Sequence, residues 1–388
     1  LRVAIVHDWL VNYAGSERVL EQLIALFPRA DLFSLVDFLP PERRGFLAGR
    51  PVATSFLQRM PFARRTFRAC LPLMPLAVEQ LDLSAYDLVI SSSHCVAKGV
   101  LTGPDQLHVS YVHTPMRYAW DAQREYLAGA GLDRGLRGWC ARWMLHKLRG
   151  WDARSTNGVD ALVANSQFIA RRVEKAWRRT ARVIYPPVDV DAFALSKDRE
   201  DFYVTASRLV PYKKVDVLVE AFAHMPQRRL IVIGDGPQRK KLAARAPANV
   251  QVLGHQSFEF LRSHLERARA FVYAAREDFG IVLAEAQACG CPVIAFSQGG
   301  AAEIVRPLTS ERPTGVLFDA QTPQAVVDAV AQFERHARRI DPADCRAGVL
   351  RFDAERFRRE FFDYAMREWA DFNARRSASR PAPSLRVA

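Results

Sequence analysis

The sequence predicts an α/β protein made of two Rossmann-like domains facing a cleft, and three observations predict it. The chain has 388 residues, more than one compact core usually organises. Short apolar runs alternate with segments whose apolar residues fall at helical spacing, which reads as strand followed by helix. The alternation runs twice, in two series separated by Tyr185-Pro186-Pro187-Val188, where adjacent prolines forbid continued helix. Apolar strands alternating with amphipathic helices imply parallel sheets covered on both faces.

In the first series, Val3-Ala4-Ile5-Val6 reads as a strand ending in His7-Asp8, and Asn12 to Ser16 as a turn. Val19, Leu20, Leu23, Ile24 and Phe27 then share one helical face. Strands are expected at 88–91, 107–112 and 161–164, and Asn165-Ser166 caps a helix running to about Trp177. In the second series, strands are expected at 202–206, 230–233, 250–253, 270–273 and 292–295, with a helix from Val215 to His224. The domains follow as 1–187 and 188–350. A helix over 351–374 is expected to return to the N-terminal domain, and 375–388 to form a disordered tail.

Hydrophobic residues make up 49% and charged residues 25%, the balance of a globular protein. No run of about 18 uncharged apolar residues predicts a membrane span. The start of the chain carries no signal-peptide pattern. The six cysteines form no CxxC pair, so buried, reduced thiols and a cytoplasmic location are expected. With 55 Lys and Arg against 42 Asp and Glu, the formal charge is +13, which favours polyanionic partners without choosing among them. The segments 56–68 and 134–154 mix Arg and Lys with Phe, Trp, Leu and Met. Each could lay an aromatic, basic face on an anionic membrane surface or pack as an ordinary helix on its own domain.

The most informative stretch is Arg276-Glu277-Asp278-Phe279-Gly280-Ile281-Val282-Leu283-Ala284-Glu285-Ala286, which follows a strand and enters a helix through a glycine. At such a helix start the backbone N–H groups of Gly280, Ile281 and Val282 lack intrahelical acceptors and can hold a phosphate. Glu277 and Glu285 suit sugar hydroxyls better than phosphate. After the first strand of the same half, Arg208 and Lys213 can neutralise a diphosphate, one as a planar fork and the other as a point charge. Gly234-Asp235-Gly236-Pro237 ends the next strand, and its glycines permit close approach by a base or ribose. Ligands of this architecture bind beyond the carboxyl ends of the strands, where all these segments fall.

Together, in this order, these segments resemble the GT4-type retaining glycosyltransferases of GT-B fold, and the resemblance covers nearly the whole chain. Glu277-x7-Glu285 with its flanking residues is the most specific part. The resemblance implies that Arg208 and Lys213 bind the donor diphosphate, Glu277 the donor sugar and Glu285 the ribose. It places Phe279, Gly280, Ile281 and Val282 at the donor, with Gly234 and Gly236 beside the base and Gly299-Gly300 as a later glycine turn. Ala14-Gly15-Ser16-Glu17 resembles the family's glycine loop, so Gly15 is expected near donor phosphate or acceptor, although Ala14 stands where many members have a second glycine. His113 matches a family histidine near the transferred sugar, and His7, Asp8, Ser93, His94 and Lys98 are candidates for acceptor contact.

By the same resemblance, Glu277 and His113 are the catalytic candidates and the anomeric configuration is retained. The donor is expected to be a nucleotide diphosphate sugar, GDP-mannose before other GDP- or UDP-sugars. The acceptor is expected to be a saccharide on a polyprenyl diphosphate, in surface-polysaccharide assembly at the inner face of the membrane. No cofactor and no catalytic metal are expected, since no Asp-x-Asp motif accompanies the diphosphate residues. Competing readings are a transferase of the same fold with a UDP-sugar and a soluble acceptor, a sugar-nucleotide epimerase, an inactive scaffold, and a basic nucleic-acid-binding protein. The last would need a recognition helix or aromatic reader strand, and neither is found, so no nucleic-acid partner is expected.

Overall fold

A computed structural model describes residues 1–378, and the chain falls into two compact units, Leu1–Tyr185 with Phe357 onward, and Pro186–Arg356. The first holds strands β1 (Val3–His7), β2 (Asp31–Ser34), β3 (Val52–Thr54), β4 (Leu88–Ser93), β5 (Leu107–Val112), β6 (Ala161–Ala164) and β7 (Arg182–Val183). They pair in parallel in the order β3-β2-β1-β4-β5-β6-β7. The second holds β8 (Glu200–Ala206), β9 (Arg229–Ile233), β10 (Val250–Gly254), β11 (Ala268–Tyr273), β12 (Val293–Phe296) and β13 (Gly315–Phe318). These pair in parallel as β10-β9-β8-β11-β12-β13.

Each order has one place where the chain reverses direction across the sheet. In the first unit it lies between β1 and β4, and in the second between β8 and β11. Loops leaving the two flanking strands diverge there, which opens a crevice at the strands' carboxyl ends.

The strands are apolar because both faces are covered. Val3, Ile5, Leu88, Ile90, Val109 and Tyr111 face one core shared with Val19, Leu20, Leu23 and Ile24 of the helix Gly15–Leu26. The same core takes Phe357, Phe361 and Ala365 from the last helix, Ala354–Ala378, so that helix returns to the N-terminal unit. Arg358 of this helix also donates to Gln22 Oε1 at 2.5 Å. In the second unit Tyr203, Leu230, Val232, Val272 and Ile294 meet Leu218, Phe222, Val330 and Phe333 from covering helices. Ser166 caps the helix Gln167–Trp177 by accepting from the Ile169 N–H.

Some expectations need correction. Residues 375–378 continue the last helix, and the remainder of the expected tail, 379–388, lies outside the described residues. Strands β2, β3, β7 and β13, of two to four residues, were not expected. The segment 56–68 is no single helix but a succession of short turns, Phe56–Arg59, Ala63–Thr66 and Phe67–Leu73. Of the six free thiols, Cys95, Cys289, Cys291 and Cys345 are buried, whereas Cys70 is half-buried and Cys140 exposed. Among the described residues no helix is long and apolar enough to cross a membrane.

Candidate functional site

In the C-terminal unit the chemistry gathers where β8 and β11 part. Pro211–Lys213 forms a short turn after β8 that brings the Lys213 ammonium to β11. Its Nζ lies 3.1 Å from the Tyr273 hydroxyl and donates to Glu277 Oε1, while Tyr273 donates to the same oxygen at 2.6 Å. Lys213 and Glu277 are largely but not wholly buried, at 15% and 13% exposure, so an ion pair sits at the edge of solvent where a ligand can compete for either partner. Tyr273 was not among the expected residues. As the last residue of an apolar strand it reads as core, and only its hydroxyl marks it.

Past Glu277 the chain turns through Gly280, at φ +95°, into the helix Ile281–Ala288. That left-handed backbone is open to glycine at no steric cost, and a Cβ would also meet Leu283 at 2.8 Å. The helix start supplies N–H groups and the positive end of its dipole beside the ion pair. Phe279 is buried with its ring edge-on to Phe352, centroids 5.0 Å apart, so only its backbone faces the turn. Glu285 is 3% exposed inside the same helix.

The later glycine pair fixes this loop from behind. Gly300 N–H donates to the Glu277 carbonyl at 2.9 Å, and Glu277 and Gly299 form an isolated parallel bridge. A Cβ on Gly299 would stand 2.2 Å from that carbonyl, and one on Gly300 2.3 Å from Phe279 Cα. The pair is glycine because two backbones touch.

Gly234 and Gly236 obey the same rule, which corrects the reason first given for them. A Cβ at 234 would meet the Ser207 carbonyl at 1.8 Å, and one at 236 the Leu209 carbonyl at 2.4 Å. The close approach is made by the chain itself, clamped by Ser207 N–H to Ile233 O and Leu209 N–H to Asp235 O at 3.1 and 2.9 Å. Between these clamped residues Arg208 is exposed, and its guanidinium makes no hydrogen bond or ion pair among the described residues.

The N-terminal unit has its own constellation where β1 and β4 part. His7 Nδ1 is 3.1 Å from Ser92 Oγ, which is 2.8 Å from His113 Nε2. Behind His7, Glu17 places Oε1 3.6 Å from His7 Nε2 and takes the Ala14 N–H and the Ser16 hydroxyl on Oε2, each at 3.0 Å. Burial pushes the Glu17 carboxyl up, but the polar groups around it, the nearby His7 ring first, outweigh burial and hold the group below the usual carboxylate range. Burial holds His113 well below the usual imidazole range, with the nearby His94 and His7 adding to the effect, so it stays neutral. Gly15 opens the helix that carries Glu17. Sequence reading missed Ser92 and Glu17 as functional partners. The signals were available: a Glu at the third helical position, and a serine replacing the apolar residue expected two places after Ile90.

Two acceptor candidates turn out to be built into the fold. Asp8 is buried and spends its carboxylate on four backbone amides, those of His94, Cys95, Val96 and Ala97, at 2.6 to 2.9 Å. Lys98 is 1% exposed and donates to the Asp152 carbonyl and Ser155 Oγ, both at 2.7 Å, under the rings of Trp151 and Trp177. Asp152 in turn accepts from the indoles of Trp120 and Trp177. Neither Asp8 nor Lys98 is available to an acceptor. Ser93 Oγ is taken by the Lys98 N–H, and His94 lies 3.4 Å from Asp8 with Trp9 against its ring. Among the described residues no group of three or more His, Cys, Asp or Glu is placed to hold a metal ion.

Two family descriptions match the chain. Residues 189–345 match the family described as glycosyl transferases group 1, and residues 13–192 match glycosyltransferase family 4. A GDP-mannose-dependent monoacylated alpha-(1-6)-phosphatidylinositol monomannoside mannosyltransferase from Corynebacterium glutamicum is 34% identical over 39% of this chain and 48% of its own length. A D-inositol 3-phosphate glycosyltransferase from Xylanimonas cellulosilytica is 31% identical over 51% of this chain and 49% of its own. The chain thus spans about half the length of the curated relatives it matches. The crystal structure of Anabaena HepE in complex with UDP shares the fold with a TM-score of 0.69 at 18% identity, covering 94% of this chain and 99% of that one.

Proposed function

This chain belongs to the family 4 glycosyltransferases of GT-B fold, and on that premise we propose that it moves a hexose, mannose from GDP-mannose first among the candidates, to a saccharide acceptor. The observation that carries the reading is the meeting of Lys213, Glu277 and a helix start at the point where β8 and β11 diverge. A sugar nucleotide needs cationic groups for its diphosphate and an acceptor of hydrogen bonds for its sugar, and this constellation offers both. Lys213, Arg208 and the N–H groups of Gly280, Ile281 and Val282 take the diphosphate. Glu277, which Lys213 and Tyr273 already hold in place, takes the sugar hydroxyls, and Glu285 takes the ribose. His113, in the N-terminal unit, is the second catalytic candidate.

In the reaction the bond from the anomeric carbon to the diphosphate breaks and a bond to the acceptor oxygen forms on the same face. The acceptor's proton passes to the departing phosphate oxygen. Charge grows on the leaving diphosphate, and fixed cations and N–H dipoles stabilise it most at that moment. Glu277 orients the sugar.

GDP-mannose is favoured by the donor named for the Corynebacterium relative. A UDP-sugar donor is the second reading, favoured by the UDP held in the HepE structure of the same fold. A lipid-linked acceptor in surface-polysaccharide assembly agrees with the helix Gly135–Ser155. Leu136, Trp139 and Trp143 are exposed on the side opposite its buried Leu145 and Leu148, among the exposed Arg137, Arg142 and Lys147. Phe62 is also exposed, beside exposed Arg64 and Arg65 in sequence, an apolar and basic point of the kind that suits anionic lipid.

The test is calorimetric titration with GDP-mannose, GDP, UDP and UDP-glucose, without and with magnesium. Binding of the GDP species without metal is the expected result. A UDP preference would replace mannose as donor and keep the class, and absence of any nucleotide binding would overturn the reading.

A further inference from the structure

Among the described residues His113 hydrogen-bonds through one ring nitrogen and leaves the other open. Its backbone is pinned on both sides, by its N–H to the Ser93 carbonyl at 2.8 Å and by Asn165 Nδ2 donating to its own carbonyl at 3.0 Å. Nε2 meets Ser92 Oγ, and Nδ1 takes no hydrogen bond among the described residues, while the residue is partly exposed. Whether Nδ1 offers a lone pair or an N–H to a ligand depends on where the single proton of the ring sits.

The strand alternation assembles a line of groups that decides this. His7, Ser92 and His113 continue the inward-facing columns Val3-Ile5, Leu88-Ile90 and Val109-Tyr111, so the polar ends of three neighbouring strands face the same side. His7 pairs in register with Ser92, and Glu17 closes the line behind His7. An ionised carboxylate accepts and cannot donate. His7 Nε2, which has no hydrogen-bond partner of its own and faces Glu17 Oε1 at 3.6 Å, therefore carries the ring proton. His7 Nδ1 is then a bare acceptor, and the one hydroxyl hydrogen of Ser92 goes to it. Ser92 Oγ has only lone pairs left for His113, so His113 Nε2 must be the N–H and Nδ1 the lone pair.

We propose that Glu17, acting through His7 and Ser92, is a positioning residue that fixes His113 as the Nε2–H tautomer and presents its Nδ1 as a hydrogen-bond acceptor. A sugar hydroxyl is the ligand chemistry such an atom takes. The inference about the ligand rests on the glycosyltransferase reading, whereas the tautomer is a property of the free protein. The line holds while His7 bears one proton. A second proton would reverse Ser92 and put the hydrogen of His113 on Nδ1.

The experiment is nitrogen NMR of the full chain labelled in its histidine rings, without ligand, with the His113 signals identified by their loss in His113→Asn. The expected spectrum shows a protonated Nε2 and an unprotonated Nδ1. In Ser92→Ala the His113 signals shift toward a mixture of tautomers, and in Glu17→Gln they follow, with circular dichroism reporting that each variant is folded. Nδ1–H in the wild-type protein would overturn the proposal, and that measurement stands even if a variant fails to fold. A folded Glu17→Gln with unchanged His113 signals would also overturn it. In turnover, Glu17→Gln is expected to lower kcat about 10-fold with KM little changed, as for an interaction felt mainly in the transition state. Loss of nucleotide binding by the wild-type chain would remove the glycosyltransferase reading and leave the tautomer result intact.

Discussion

At the diverging strands of the N-terminal sheet, imidazoles, a serine and carboxylates form a largely buried network. At those of the C-terminal sheet, a lysine and a tyrosine share one carboxylate beside an exposed arginine and an open helix start. The topology is the same in both, a parallel sheet with one reversal. The loops make the difference. After β1 the chain enters its helix at Gly15, and Asp8 draws the β4 loop inward by taking four amides. After β8 the loop projects Arg208 outward and sends Lys213 across to β11. A switch point only provides room. Whether it binds anions depends on how many of its donors the fold has already used.

The largest test of that contrast is Glu277→Gln, which keeps the shape and removes the charge paired with Lys213. Transfer is expected to fall by about 10²–10³, the scale of removing one group that acts on the transition state. Wild-type turnover would remove the assignment.

Acid should strike the N-terminal unit through its histidines. Burial holds His94 and His113 low and pushes His108 down to about 4. An unfolded imidazole takes its proton near pH 6.5, so between those values the unfolded chain binds more protons and stability falls as pH falls. His108 alone contributes on the order of 3 kcal/mol that is present above about pH 6.5 and gone below about 4. Thermal unfolding followed across pH 7 to 4 should show this loss, and a flat profile would contradict it.

Next in size is Lys213→Ala. A hydrogen bond to a charged group contributes about 1.5–3 kcal/mol, so nucleotide affinity should weaken by roughly 10- to 150-fold in titration. Gly300→Ala is the smallest of the four. It should lower stability by about 1–3 kcal/mol as the new Cβ forces the Phe279 backbone aside. Its melting temperature and its nucleotide affinity should fall together, since the Glu277 loop moves with it.

Much of this was legible in the sequence. β5 and β6 stand at the residues their apolar runs mark, and the helix after Ser166 begins where its cap requires. Lys213, Glu277 and the helix after Gly280 come together as their positions after neighbouring parallel strands imply. What sequence could not supply was partner choice across the fold. Lys98 follows a strand and reads as available, yet it is enclosed by Trp151, Trp177 and Asp152 from helices far along the chain. Gly234 reads as making space for a ligand, and the Ser207 carbonyl fills that space. Tyr273 and Ser92 read as parts of apolar strands until the fold brings Lys213 and Glu277 to one and His7 to the other.

On the reading proposed above, the nucleotide belongs to the C-terminal unit's constellation of Lys213, Glu277 and the helix after Gly280. The most direct measurement is amide hydrogen exchange of the whole chain with and without saturating GDP or UDP, whichever binds. Slowed exchange concentrated in 207–214 and 277–283 is the predicted result. Protection confined to the N-terminal unit, around 14–17 and 92–98, would contradict it.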